Sequence, residues 1–160
     1  MSIDMFMRVE GATGESKDSN HKGWTDVVSF TWGAVQPGNM GVGGGGGAGK
    51  VHFDDLLINA QIDKSTPALL KYCASGKHIP KVEVSVCKAG GSQVEYTRII
   101  LEEVLVTGVK YTGADTGDLV SMLYSFQAAK VTQQYWEQTE QGSKGAESSA
   151  AWDIKQNRVA

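Results

Sequence analysis

The chain reads as mainly β, with one helix packed against a barrel or a pair of sheets. Three observations carry that class. Apolar and polar residues alternate with period two along most of the sequence, and glycine-rich turn signals separate the alternating runs. Only one stretch, within residues 51–79, carries several helix signals that agree with one another. With 160 residues, 41% of them hydrophobic, the chain is sized for one domain spanning 1–160 around a single core.

In chain order, Ile3, Met5, Met7 and Val9 alternate with Asp4, Phe6 and Arg8, which predicts a first strand. Residues 11–23 form a polar loop carrying Glu15, Ser16, Lys17, Asp18 and His21. In the following run Trp24, Val28, Phe30 and Trp32 share one face, and Thr25, Val27, Ser29 and Thr31 share a lighter one. A long glycine-rich loop covers 33–50, and loops of that length are uncommon in compact domains unless they are functional. Residues 51–62 predict a third strand. The helix follows, with Thr66 at the N-cap, Pro67 at the first helical position and Gly76 at the left-handed C′ position. Leu69, Leu70, Cys73 and Ala74 fall on one face, and Lys71 and Lys77 lie toward the negative end of the helix dipole. A helix of about ten residues is marginal alone in water, so this face has to dock on a sheet.

Val82, Val84 and Val86 begin the next strand, Gly90-Gly91 turns it, and Val94, Tyr96, Arg98 and Ile100 return opposite Glu95, Thr97, Ile99 and Leu101. Glu102-Glu103 interrupts the alternation before 104–111 and marks a kink or bulge. Residues 112–117 turn again. A long strand pattern then runs from Leu119 to Trp136, with Val120, Met122, Tyr124, Phe126 and Ala128 facing away from Ser121, Ser125 and Gln127. Residues 137–150 read as a polar loop and 152–158 as a short closing strand. The sum is roughly eight strands and one helix.

Composition removes several function classes. A net charge of −3 with no dense basic block argues against a phosphate-driven nucleic-acid binder. No apolar run approaches the ~20 residues of a membrane helix. The N-terminal MSIDMFMRVEG lacks the basic and apolar regions of a Sec signal, so the expectation is cytoplasmic synthesis and, if exported, a route without a cleavable signal. Cys73 and Cys87 predict buried free thiols.

No motif supplies catalysis. GGGGAGK at 44–50 fits the opening of a phosphate-binding loop, but Val51 stands where the Ser or Thr is needed and strand composition follows where a helix is needed. His21, His52 and His78 lack metal-ligand spacing. In Asp54-Asp55 and Glu102-Glu103 the two side chains of each pair point to opposite faces of a strand, which suits no acid/base pair. No serine lies in a Gly-x-Ser-x-Gly elbow. The expectation is no enzyme, no cofactor and no metal.

The segments MSIDMFMRVEGATGESKDSNHKG, SFTWG, GGGGGAGKV, DKSTPALLKYCASGKHI, KAGG, QVEYTRIILEEVLV and WDIKQN occur in order over essentially the whole chain. Together they resemble the haemolysin-coregulated protein (Hcp) family, the tube proteins of bacterial type VI secretion systems. The resemblance implies a β-barrel of two packed antiparallel sheets with one flanking helix, assembled as a hexameric ring. Rings stack into a hollow tube that is enclosed by a contractile sheath, tipped by a spike protein and expelled from the cell, with small effectors protected in the lumen. On this reading the extended loop contacts a neighbouring subunit or ring through Gly38, Asn39, Met40, Gly43, Gly44, Gly45, Gly46, Gly47 and Lys50. Ser29, Thr31, Ser121 and Ser125 suit a wetted lumen, an assignment that a one-residue register slip reverses. Leu69, Leu70 and Cys73 pack the helix, while Lys71 and Lys77 face the tube exterior. The alternatives are a stand-alone barrel enclosing a small ligand and, more remotely, a nucleotide-using enzyme built on the glycine loop.

Overall fold

Period-two patterning needs partner strands to hold it, and the chain supplies them by closing on itself. The computed structural model describes residues 2–38, 40–41, 49–89 and 93–160. Within these residues lie strands β1 (Ile3–Val9), β2 (Thr25–Thr31), β3 (Ala34–Val35), β4 (His52–Phe53) and β5 (Leu56–Gln61), then helix α1 (Thr66–Ser75). Strands β6 (Ile79–Lys88), β7 (Val94–Thr112), β8 (Ser121–Gln138), β9 (Lys144–Asp153) and β10 (Arg158–Val159) complete the order. The sheet runs β10-β9-β8-β5-β2-β1-β6-β7, and β7 pairs back onto β8. Strands β8, β5, β2, β1, β6 and β7 therefore close an antiparallel barrel, from which β9 and β10 extend. The mainly β barrel with one helix that alternation predicts is the fold the chain adopts.

The barrel interior is filled by side chains. Met7, Leu56, Ile58, Val82, Val84, Leu101, Val104, Met122, Tyr124 and Phe126 are all essentially inaccessible to solvent. Each large apolar side chain buried this way stabilises the fold by roughly 1.5–3 kcal/mol. Tyr124 brings a polar tip into this core, where Thr66 Oγ1 lies 2.6 Å from its hydroxyl. Burial pushes the Tyr124 pKa up to about 12, so the group remains a neutral hydrogen-bonding partner. With the interior occupied, a ligand enclosed by the barrel finds its space already taken.

Strand irregularities correct several expectations. In β2 the register against β5 shifts between Val27 and Ser29. Thr25 and Val27 face the core, Val28 is 63% exposed, and Phe30 and Trp32 return to the apolar side. Trp24, Val28, Phe30 and Trp32 thus do not share one continuous face, because a bulge residue reverses the alternation. The Glu102-Glu103 break is also a phase change, with Glu103 at φ +51. Ile99 and Leu101 are buried before it and Val104 and Val106 after it, within one unbroken strand. The expected strand over 51–62 divides at Asp54-Asp55: β4 pairs with β3, and only β5 joins the barrel. Residues 137–150, expected as a loop, mostly form the end of β8 and the start of β9. Their small side chains have no apolar period, and the strand exists because the β8 backbone offers a ladder, with Tyr135 facing Ser148 and Trp136 facing Glu147.

The helix starts one residue earlier than the capping rule indicates. Ser65 occupies the N-cap without a side-chain cap bond, while the Thr66 hydroxyl accepts from the Asp63 N–H and meets Tyr124. Gly76 takes the left-handed conformation at φ +69, and its N–H donates to Tyr72 O at 3.0 Å. Leu69 is fully buried and Cys73 packs against the core, but Leu70 is 45% exposed and Ala74 is exposed. The docked stripe is Leu69, Tyr72 and Cys73, one step round the helix from Leu69, Leu70 and Cys73. The extra anchor is Tyr72, whose hydroxyl donates to Gly11 O at 3.2 Å. Leu69→Ala is expected to lower unfolding free energy by about 2–5 kcal/mol. Leu70→Ala is expected to cost under ~1 kcal/mol, since its side chain already meets water. Urea denaturation of both variants checks the difference.

Candidate functional site

The outward face of β2, β5, β8 and β7 is the first surface to consider, because the ladder places residues across it in rows. Thr31 faces Leu57, Leu57 faces Ser125, and Ser125 faces Gly108. The next row runs Ser29, Asn59, Leu123 and Lys110. A third contains Gln61, Ser121 and Thr112. Ser29, Thr31, Ser121 and Ser125 therefore stand on one surface opposite the core, the first three exposed and Ser125 half-buried. Asn59 Nδ2 donates to Ser29 Oγ at 3.0 Å, and the Thr107 hydroxyl lies 2.8 Å from Asp55 Oδ2 and 2.9 Å from Ser125 Oγ. A Cβ on Gly108 would sit 2.5 Å from Ser125 Oγ, so a side chain there displaces the Ser125 hydroxyl from its place beside Thr107. Strand β2 meets β1 only through Thr25 and Asp26, which leaves 28–31 without a strand partner on that side among the described residues.

The second surface is the arm between β2 and β5. It leaves the barrel as β3 and returns as β4, with Trp32 and Phe53 stacked at 5.9 Å and Asp54 N donating to Gly33 O at 2.9 Å. Gly38 and Lys50 are exposed, Met40 is 84% exposed and Val35 57%. Asn39, Gly43, Gly44, Gly45, Gly46 and Gly47 lie outside the described residues. Lys50 is followed by Val51 and strand β4, whereas a phosphate loop opens a helix at that point.

A third feature was not singled out from the sequence. His21, 5% exposed, stacks on Phe6 at 4.2 Å and meets the Trp24 ring edge-on at 4.8 Å. Its Nδ1 lies 2.7 Å from Asp18 Oδ2 and its Nε2 3.1 Å from Ser85 Oγ. Ser85 donates to Glu95 Oε2 at 2.6 Å, and Arg98 bridges Glu95 at 2.7 Å to Glu83 at 2.8 Å. Lys144 reaches Glu95 Oε1 at 3.1 Å while its ammonium sits 3.5 Å from the Trp136 ring centre. The network joins the 11–23 loop to β6, β7 and β9. One signal for it was legible: Glu83, Ser85 and Cys87 are polar or weakly polar residues alternating against valines, and such an outward face needs partners. His52 and His78 are exposed, and among the described residues no three His, Cys, Asp or Glu side chains gather as a metal site.

The family model described as "Type VI secretion system effector, Hcp" matches residues 6–136. The chain is also 43% identical over 159 residues to protein hcp1 of Pseudomonas aeruginosa, covering 98% of each. This chain belongs to the Hcp family of type VI secretion proteins. Among solved Hcp structures, Hcp1 from Salmonella typhimurium superposes with a TM-score of 0.81 at 30% identity over the full length of both chains. A further type six secretion system protein superposes at 0.93 and 25% identity, covering 99% of this chain and 100% of that one.

Hcp is a structural, secreted component and not an enzyme family, and the Asp18–His21–Ser85 array fits that status. It has the order of a hydrolase triad, but Ser85 has no exposed surface and its hydroxyl is committed to a carboxylate. Burial likewise pushes the Cys87 thiol up, against its hydrogen bond with Ser85, leaving a protonated thiol of low reactivity. The network acts on stability. The hydrogen bond from His21 holds the Asp18 carboxyl below its ordinary value. Burial raises Glu95, but hydrogen bonds from Ser85, Arg98 and Lys144 outweigh it, and the net shift is downward. Both groups ionise more readily folded than unfolded, so their contribution is complete above the ordinary carboxylate range and is lost as pH falls through their folded values. The urea midpoint of this Hcp subunit is expected to hold steady above about pH 6 and to drop below about pH 5. Glu95→Gln is expected to lower the neutral-pH midpoint and flatten that drop, as followed by tryptophan fluorescence.

Proposed function

We propose that this Hcp chain is the subunit of the inner tube of a type VI secretion system. It assembles as a hexameric ring, rings stack into a hollow tube, and a contractile sheath expels that tube with a spike at its tip. The face formed by β2, β5, β8 and β7 lines the lumen, where small effectors travel, and the subunit leaves the cell by this route. The observation that carries the reading is that face itself. The barrel has already buried its apolar side, yet it presents a further wall with rows of mostly polar side chains, among them Ser29, Thr31, Asn59, Gln61, Ser121 and Ser125. Such a wall suits a wet channel.

The arm supplies the contacts between neighbours. Met40 and Val35 are large apolar residues exposed on the arm, where a neighbouring subunit can cover them and gain apolar burial. Asn39 and the glycines at 43–47 extend the same contact. The exposed Lys71 on α1 and Lys77 just past its end face outward toward the sheath.

Light scattering and negative-stain microscopy test the assembly, with hexameric rings as the expected result. A strictly monomeric protein at high concentration overturns the reading. Met40→Asp is expected to leave subunit stability within about 0.5 kcal/mol of the parent, as for an exposed site, while reducing ring stacking. Undiminished stacks in that variant remove the arm from the ring contact.

A further inference from the structure

The lumen-facing rows are not uniformly polar. Leu57 and Leu123 stand diagonally across the β5–β8 pair, half-buried, each flanked by short polar side chains. Lys110 lies directly opposite Leu123, and among the described residues no carboxylate comes within ion-pair distance of it. The two acids of this face are placed differently. Asp55 precedes β5 at one end of the rows and receives a hydrogen bond from Thr107. Asp26 lies at the opposite end of β2, paired with Phe6 of β1. The middle of the wall is therefore a cation beside two leucines, next to an Asn59 amide fixed by its bond to Ser29.

We propose that this patch grips cargo through a segment that is both acidic and apolar. Carboxylates approach Lys110, and aliphatic or aromatic side chains cover Leu57 and Leu123. The inference rests on the lumen assignment above and adds the chemistry of what the lumen holds. One patch is weak, because a solvent-exposed ion pair contributes little. Ring symmetry repeats it on every subunit, so one cargo chain meets several copies and binds by avidity.

Fluorescence anisotropy of assembled rings of the full chain tests this with two short labelled peptides. One alternates leucine with glutamate, and the other carries lysine at every glutamate position. The glutamate peptide is expected to bind about tenfold more tightly, a difference that several weak ion pairs together supply. Lys110→Glu is expected to reverse that order, and Leu123→Gln to weaken both peptides, with ring mass unchanged by light scattering. Equal binding of the two peptides, or an order unaffected by Lys110→Glu, overturns the proposal. A separate measurement isolates the lumen assignment. Ser29→Cys rings are labelled with biotin-maleimide and probed with streptavidin against the parent chain as background. Blocked streptavidin supports the lumen. Free access overturns the lumen assignment and this proposal with it, whereas blocked access with indifferent peptides overturns this proposal alone.

Discussion

The structure depends on one pairing, that of β7 with β8. Because both strands are long, β7 spends its first half against β6 and β8 and its second half against β8 alone, and this closes the sheet on itself. Closure removes most free edges and turns one face of each of the six barrel strands inward, where Tyr124, Phe126, Leu101 and Met122 exclude water. It also fixes which face remains outside. Without the ring of pairings, the short side chains of β2, β5 and β8 would be scattered polar residues; with it, they become rows on one wall.

The irregularities in the strands serve that closure. The phase changes at Val28 and Glu103 let a strand bend while keeping apolar residues inward on both sides of the bend. The helix docks on the barrel through Leu69 and Tyr72, and the Thr66–Tyr124 hydrogen bond ties its first turn to the core. On the far side of the barrel from the polar wall, the Asp18–His21–Ser85–Glu95–Arg98 network fastens the 11–23 loop to β6 and β7. It satisfies polar groups that the outward face of β6 would otherwise bury without partners. A feature with the outline of a catalytic triad is thus explained by burial and hydrogen bonding, and family membership agrees.

A barrel that is complete in itself still presents two surfaces that a solitary subunit does not need, the polar wall and the apolar arm. Both are explained together if copies surround a channel and touch through their arms. The Leu57, Leu123 and Lys110 patch then gives the channel a chemical preference in addition to a diameter.

The sequence by itself determined the mainly β class, the existence of the helix and its Gly76 stop, the arm as a glycine-rich departure from the barrel, and the family. These follow from local causes: side-chain period, proline and glycine stereochemistry, and ordered motifs. The sequence also put Ser29, Thr31, Ser121 and Ser125 opposite apolar neighbours, although only the register could bring the four onto one wall. Tertiary structure decided the rest. It chose Tyr72 over Leu70 as a helix anchor, because the 11–23 loop offers the Gly11 carbonyl to the Tyr72 hydroxyl on that side of the helix. It made a strand of 144–153, whose small side chains carry no period, because a neighbouring ladder was available. It reversed the alternation at Val28, since a bulge depends on the partner strand and leaves no mark on the bulged residue. It assembled the His21 network from residues as distant in sequence as Asp18 and Lys144, 126 positions apart, a proximity that only barrel closure creates.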